Sequence, residues 1–345
     1  MKLWKAAAGL SGLAALGAGA AAWVYYHPEI LIGQIQKRIY KGKPINSFEP
    51  LGTPMRHIKE NGQLYVTEIC YGKDYANSYL DITYPTADTG VDRPTVVYFH
   101  GGGFFGGDKS MGDPLAVGDS ANLLFEEIAA NGFNFVNVNY ALVPDYHFPV
   151  PVIQMVQAID YLADHAQEYG LNMENVIVFG QSAGAGLAVQ YGALLSSKVY
   201  RDNLNIHPRI SPDAIKALVI DDTPVLDSKG NWATRMMAGC YHGTMHMTSE
   251  RKKQINAFLH LNQDYPPSFL TAGNTDGFPE DMKAFSNRLQ ELGVEQEYYF
   301  TPKEKAELPH GYLSMVHENS YARECFDHIL DFMKRYAGNW AEENT

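Results

Sequence analysis

The stretch Gly180-Gln181-Ser182-Ala183-Gly184 follows a short apolar run, Val176 to Phe179, and precedes a segment with helical spacing. A short apolar run that ends at a glycine is typical of a buried strand. The glycines on either side of Ser182 permit a turn so tight that any larger side chain there would clash with the neighbouring strand or helix. The sequence therefore predicts a strand, a sharp turn with Ser182 at its apex, and a helix.

A second glycine-rich stretch, His100-Gly101-Gly102-Gly103, stands upstream and also follows an apolar run. Loops of this kind supply backbone N–H groups that stabilise the oxyanion formed when a serine attacks a carbonyl. The two motifs in this order, each directly after a predicted strand, indicate a serine hydrolase. A role for Ser182 as an ordinary helix N-cap would explain the serine but neither of its flanking glycines.

Further apolar runs alternate with segments of helical spacing from residue 95 onward. Such runs are typical of strands covered by helices on both faces, and the alternation implies right-handed crossovers. Upstream, residues 64–69 and 79–84 alternate like an antiparallel pair. The predicted fold class is α/β, with a mostly parallel central sheet and helices on both faces. Its apolar runs are Thr95–Phe99, Phe133–Tyr140, Val176–Phe179, Ala217–Ile220 and Ser268–Thr271.

Two segments depart from this alternation. Residues 28–45 place apolar side chains at helical spacing among glutamine, lysine and arginine, which predicts an amphipathic helix. Residues 227–265 hold methionines and aromatic residues with basic residues between them, and we interpret them as a helical cap over the active site. We therefore expect a leader over residues 1–27, an amphipathic helix and connector over 28–62 that can form part of the cap, and one catalytic domain over 63–345.

A serine is a poor nucleophile unless a base takes its proton, and 12 histidines compete for that role. His310 lies in a predicted loop downstream of Ser182, as the chain order of serine, acid and histidine requires. The acid is expected after the strand Ser268–Thr271, where Asp276 is the best-placed carboxylate. Two alternatives follow closely, Glu280 and Asp281.

Four segments, in order, resemble the hormone-sensitive-lipase-like branch of the α/β-hydrolases, the microbial carboxylesterase and acetyl-esterase type. They are His100–Phe105, Tyr140–Pro149, Gly180–Gly184 and Pro309-His310-Gly311. The resemblance covers about residues 63–336. It departs from many relatives at Gln181, where an acidic residue is frequent, and at Ala185, where a second glycine is common. The resemblance implies a triad of Ser182, Asp276 and His310 and an oxyanion hole of the backbone N–H groups of Gly102, Gly103 and Ala183.

Phe104 and Phe105 directly follow the oxyanion glycines, so we expect them to crowd the acyl side of the pocket. A crowded apolar pocket predicts a preference for acyl chains of about two to six carbons, because each methylene contributes only ~1–3 kcal/mol of discrimination. We assign these two phenylalanines and Gln181 to substrate binding.

Other kinds of site are disfavoured. Residues 101–106 also fit the dinucleotide motif G-x-G-x-x-G, but the next strand ends without the acidic residue that this motif requires. The net charge of −12 argues against a nucleic-acid partner. Cys240, His242 and His246 lack a fourth metal ligand, and three scattered cysteines make no disulfide framework. We predict neither a metal nor a cofactor.

The N-terminal segment differs in kind from the rest of the chain. Lys2 and Lys5 precede the uncharged stretch Ala6–Tyr26, which is long enough to span a bilayer. This length favours an uncleaved signal anchor over a cleaved signal peptide, although Ala18-Gly19-Ala20 and Ala20-Ala21-Ala22 both offer cleavage sites. Because basic residues favour the cytoplasmic side, the catalytic domain is expected outside, anchored to the membrane or secreted.

These observations predict a serine carboxylesterase that hydrolyses short-chain acyl esters of small molecules through an acyl-enzyme intermediate. An amidase or peptidase of the same fold is the nearest alternative. A non-catalytic binding protein on a hydrolase scaffold is another, because a fold does not guarantee a function. The joint presence of serine, histidine, acid and glycines favours the enzyme.

Overall fold

The computed structural model describes residues 23, 26–114, 121–225 and 232–338. The predicted leader lies outside these ranges, except for Trp23, Tyr26 and His27. Within the described ranges, no helix is both long enough and apolar enough to cross a bilayer. The amphipathic helix predicted after the leader is observed as α1, Pro28–Tyr40.

Nine strands of the described residues form one sheet. They are β1 (Arg56–Ile58), β2 (Leu64–Cys70), β3 (Tyr79–Tyr84), β4 (Pro94–Phe99), β5 (Asn134–Val138), β6 (Asn172–Gln181), β7 (Ile215–Asp221), β8 (Ser268–Thr271) and β9 (Gln296–Tyr299). Their order across the sheet is β1-β2-β3-β5-β4-β6-β7-β8-β9. The first three strands and the β3–β5 pair are antiparallel, and every pair from β5 to β9 is parallel. The predicted, mostly parallel α/β sheet is confirmed.

Helices of the described residues cover both faces of this sheet. After α1 they are α2 (Ala121–Ala130), α3 (Val150–Asp164), α4 (Ala166–Tyr169), α5 (Ala183–Ser196), α6 (Lys198–Leu204), α7 (Trp232–His242), α8 (Ser249–Ile255), α9 (Pro279–Glu291) and α10 (Ser320–Ala337). Helices α3 and α5 pack in one apolar cluster with Val97 and Phe99 of β4. Helices α2 and α10 pack in a second cluster with Val96 and Tyr98 of the same strand. Alternate residues of a strand thus face opposite helical layers.

Helix α10 illustrates how the sequence pattern specifies this layering. Asn319 caps its first turn by accepting the N–H groups of Tyr321 and Ala322 at 2.9 and 3.2 Å. Its buried residues recur every three or four positions and so form one apolar stripe against the sheet. They include Ala322, Cys325, Phe326, Ile329, Leu330 and Met333.

Helices α7 and α8 lie within the segment that the sequence predicts as a cap, of which residues 227–231 fall outside the described ranges. Helix α7 packs against α1. Ile32 of α1 shares one buried apolar cluster with Cys240 and Tyr241 of α7 and with Phe105 and Val143. The N-terminal helix and the cap helix therefore meet over the glycine-rich loop that follows β4.

Candidate active site

Ser182 is the single residue between β6 and α5, at the carboxyl edge of the sheet. Its φ of 54° lies in the left-handed region that residues other than glycine rarely adopt. A Cβ atom at Gly180 or Gly184 would lie within 3.0 Å of facing backbone atoms, so both positions require glycine. The sharp turn predicted from the sequence is present, and it holds Ser182 at 8% exposure.

His310 links Ser182 to a buried carboxylate. Its Nε2 lies 2.8 Å from Ser182 Oγ, and its Nδ1 lies 2.8 Å from Asp222 Oδ2. Because a carboxylate can only accept a hydrogen bond, Nδ1 carries the proton that faces Asp222. In the neutral imidazole, Nε2 is then left to accept the hydroxyl proton of Ser182. The three side chains have the geometry of a catalytic triad.

The acid of this arrangement is Asp222, and the expectation that Asp276 orients the imidazole is wrong. Asp276 Oδ1 accepts the backbone N–H of His310 at 2.6 Å and the hydroxyl of Thr275 at 3.2 Å, so it holds the loop rather than the ring. Asp222 directly follows β7, which neighbours β6, whereas Asp276 follows β8, one strand farther from Ser182. The expectation chose the wrong strand.

The two alternative carboxylates do not reach the imidazole either. Glu280 is exposed in the first turn of α9. Asp281 Oδ1 accepts the backbone N–H of Val225 at 3.0 Å, which ties α9 to the segment after β7.

Asp222 is fully buried and held by backbone donors from the loop after β8. Its Oδ2 accepts the N–H of Gly273 at 2.9 Å, and its Oδ1 accepts the N–H of Phe278 at 2.6 Å. Donors of this kind compensate the burial of a carboxylate. The sequence did contain a signal for this site, because two consecutive carboxylates, Asp221 and Asp222, follow an apolar strand directly.

The loop after β4 folds back on itself at two glycines. Gly102 and Gly103 have φ values of 110° and 62°, and Gly102 O accepts the N–H groups of Phe105 and Gly106 at 3.1 and 2.9 Å. Within the described ranges, the N–H groups of Gly102, Gly103 and Ala183 donate to no other residue. These three donors are therefore available to a ligand.

His100 contacts the backbone of this loop and packs between the loop and Tyr140. Its Nδ1 lies 2.7 Å from Gly101 O, and its ring stacks on Tyr140 with centroids 4.3 Å apart. Burial lowers the pKa of His100, which favours the neutral ring. A Cβ atom at Gly184 would collide with Phe99 O and His100 O, so the start of α5 lies directly against the loop.

The three residues assigned to substrate binding occupy different environments. Phe104 is partly exposed and stacks on Tyr241 with ring centroids 3.8 Å apart. Phe105 is buried in the cluster between α1 and α7. Gln181 is also buried: its Nε2 donates to Asp221 Oδ2 at 3.1 Å, and its Oε1 accepts the hydroxyl of Tyr98 at 3.1 Å. We therefore reassign Phe105 and Gln181 to packing and hydrogen bonding, and Phe104 alone of the three is placed to contact a ligand.

Several carboxylates set the electrostatics around His310. Burial by itself would lower the pKa of the imidazole, but the charge and hydrogen bond of Asp222, together with the charges of Asp113 and Asp221, raise it to about 9. Burial, with the neighbouring charge of Asp222, raises the pKa of Asp221 to about 8. The neutral imidazole that a general base requires is therefore favoured at alkaline pH.

The cysteine and histidine cluster considered as a metal site lies in and after α7. Burial raises the pKa of the Cys240 thiol to about 12 and lowers that of His242 to about 4. Across the ranges that the structure describes, no three histidine, cysteine or acidic side chains are grouped to hold a metal ion.

Comparison with known proteins identifies the family to which the chain belongs. A family model described as BD-FAE matches residues 80–286, more than half of the chain. An acetyl esterase of Salmonella paratyphi A is 33% identical over 217 residues, which cover 61% of this chain and 64% of that protein. An α/β hydrolase of Acanthamoeba polyphaga mimivirus is 25% identical over 210 residues, 58% of this chain and 57% of that protein. The chain thus spans less than two thirds of the length of these relatives.

Among solved structures, esterase B from Lactobacillus rhamnosis superimposes with a TM-score of 0.67. The two share 18% sequence identity, and the superposition covers 94% of this chain and 96% of the esterase. At this level of identity the likeness concerns the fold. The chain therefore belongs to the BD-FAE family and has the fold of the α/β-hydrolase carboxylesterases.

Proposed function

We propose that the protein is a serine carboxylesterase. The observation that carries the proposal is the position of His310, whose two ring nitrogens lie 2.8 Å from Ser182 Oγ and 2.8 Å from Asp222 Oδ2. Such a bridge lets one imidazole take the serine proton while a carboxylate stabilises the charge that forms. The esterase names of the relatives and structural neighbours support the same chemistry.

In the first half of the reaction, Ser182 Oγ attacks the ester carbonyl carbon and its proton passes to His310 Nε2. The carbonyl oxygen becomes an oxyanion, which accepts hydrogen bonds from the N–H groups of Gly102, Gly103 and Ala183. When the tetrahedral intermediate collapses, His310 returns the proton to the departing alcohol. An acyl group then remains on Ser182.

In the second half, a water molecule gives a proton to His310 Nε2 and attacks the acyl carbon. The second oxyanion accepts hydrogen bonds from the same three N–H groups. Collapse of this tetrahedral intermediate releases the carboxylic acid, and His310 returns the proton to Ser182 Oγ. Throughout, the carboxylate of Asp222 orients the imidazole and stabilises the imidazolium that forms.

We further propose that the acyl pocket is short. The Phe104 ring stacks on Tyr241 and faces Gly186, where an added Cβ would lie 3.7 Å from the ring. Met237 approaches Gly103 from the cap helix, with its sulfur 3.1 Å from an added Cβ. Apolar side chains thus limit the space beside the glycine donors. Esterase B from L. rhamnosis, which shares this fold, was solved with a tributyrin phosphonate, a four-carbon acyl mimic.

Two measurements test this function. A series of p-nitrophenyl esters should give the highest kcat/KM between acetate and hexanoate, and faster turnover of long-chain triglycerides would contradict the short pocket. A phosphonate ester should add one phosphonyl group to the wild type and block its activity, and Ser182→Ala should show neither the labelling nor the esterase activity. Amide substrates assayed in parallel separate the esterase from an amidase of the same fold.

A further inference from the structure

One buried glutamine of the N-terminal helix contacts the glycine loop. Gln36 of α1 is 1% exposed, although it precedes the predicted catalytic domain in the chain. Its Nε2 donates to Phe105 O at 2.9 Å and to Val143 O at 2.7 Å. A primary amide nitrogen has two donors, and both are used here.

The two carbonyls belong to the turn that presents Gly102 and to the segment against which this turn packs. Phe105 N–H donates to Gly102 O at 3.1 Å, and Val143 N–H donates to Phe104 O at 3.0 Å. Gln36 therefore closes a continuous hydrogen-bonded path from Val143 through Phe105 to Gly102. Any shift of the Phe105 peptide would move the direction in which the neighbouring glycine N–H groups point.

A second side chain one turn along α1 acts on the same loop. The Tyr40 hydroxyl donates to Gly107 O at 2.8 Å. Between these two residues, Ile39 lies against Gly106, where an added Cβ would be 3.3 Å from its Cδ1. Helix α1 thus contacts three consecutive residues of the loop, from 105 to 107, and it is docked by apolar contacts as well as by Gln36.

We infer that Gln36 is a positioning residue for the oxyanion hole, so that the N-terminal helix is part of the catalytic unit. This inference rests on the proposed esterase function. Gln36 touches neither substrate nor reacting atoms. It fixes the Phe105 and Val143 carbonyls and thereby the orientation of the Gly102 and Gly103 donors. Such donors act in the transition state, and a displacement of about 1 Å can cost on the order of 100-fold in rate.

The test makes the same substitution, glutamine to methionine, at two positions of α1. Gln36→Met keeps the length and helix propensity of the side chain but removes both donors. Gln34→Met is the matched control, because Gln34 is exposed on the opposite side of α1. Turnover of p-nitrophenyl acetate is measured per active site, titrated with a phosphonate ester. Inhibition by a trifluoromethyl ketone, which forms a tetrahedral oxyanion on the serine, is measured alongside.

Gln36→Met should lower kcat by about 10- to 100-fold, leave KM within about twofold and raise the Ki of the ketone in proportion to the loss of kcat. Gln34→Met should match the wild type in all three. Equal kcat and Ki in the two variants would overturn the inference. If Gln36→Met does not fold, Gln36→Asn, whose amide ends one methylene short, is judged by the same criteria. A wild type that does not hydrolyse the ester would instead overturn the proposed function.

Discussion

The Asp222 carboxylate lies 2.8 Å from His310 Nδ1, and its second oxygen accepts the Phe278 N–H at 2.6 Å. These bonds join the carboxyl ends of two neighbouring strands to the loop that carries the histidine. Residues far apart in the chain therefore form one hydrogen-bonded unit beside Ser182.

Asp222→Asn should reduce kcat by about 1,000- to 10,000-fold, because an amide can hold the imidazole in the wrong tautomer and does not stabilise its charge. Asp276→Asn should cost less than about tenfold, since the asparagine carbonyl can still accept the backbone N–H of His310. Steady-state kinetics on p-nitrophenyl acetate compare the two variants. A larger loss in Asp276→Asn than in Asp222→Asn would return the acid to Asp276.

The activity should rise with pH and level off only above an apparent pKa of about 9. The base must be neutral to accept the serine proton, and the surrounding carboxylates hold the proton on His310 below that pH. In Asp222→Asn the residual activity should level off at a lower pH, because burial then lowers the pKa without the opposing charge. The measurement is kcat/KM against pH for both proteins. A wild-type plateau already reached at pH 6.5 would contradict this prediction.

Gly277→Ala should lower kcat by about tenfold or more, although the added methyl group does not contact the substrate. An added Cβ would lie within 3.0 Å of Asp222 Oδ2 and of Gly273 O, so the carboxylate must move away from its place beside the imidazole. Gly33→Ala is the control, because a Cβ in that helix meets nothing within 4 Å. It should retain full activity and stabilise the fold by up to ~1 kcal/mol. Full activity of Gly277→Ala would show that the carboxylate tolerates displacement.

Asp221→Asn should stabilise the protein increasingly as the pH rises. Burial raises the pKa of Asp221 from the ordinary aspartate value of 3.8 to about 8, so the folded protein retains a proton that an exposed aspartate would lose. The stability that this proton contributes is complete below pH 3.8 and is lost as the pH rises through about 8. Asparagine does not titrate, so the difference in free energy of unfolding between variant and wild type should grow between pH 4 and 8. Urea unfolding across this pH range measures this difference. A difference that stays constant with pH would show that Asp221 does not retain a proton in the folded protein.

The fifth prediction concerns location and follows from the lysines and the uncharged stretch at the N-terminus. We propose that the domain is exported, with the N-terminal segment as its anchor. Protease added to intact cells should degrade the catalytic domain, and its full protection would contradict export. Release of active protein into the medium, cleaved near Ala20 or Ala22, would retain export but exclude the anchor.

The sequence by itself determined the features that depend on neighbours along the chain. The turn around Ser182 could be predicted because two glycines four positions apart, one on each side of the serine, allow a close approach of backbone to backbone. The alternation of apolar runs with segments of helical spacing predicted the layered sheet. A strand that is apolar on both faces must be covered by helices, and each helix buries its one apolar stripe against the sheet. His310 could be selected because the order of serine, acid and histidine leaves few alternatives in the last part of the chain.

Only the tertiary structure decided which carboxylate serves that histidine. Asp222 and Asp276 both follow strands downstream of Ser182, and they differ in the order of strands across the sheet, which depends on packing rather than on chain order. The same holds for Gln36, whose partners lie 69 and 107 residues away. In the sequence, Gln36 cannot be distinguished from any other glutamine of a helical pattern. Its two hydrogen bonds exist only because α1 packs on the glycine loop. That packing comes from the burial of apolar surface against residues distant in the sequence, which a local sequence pattern does not reveal.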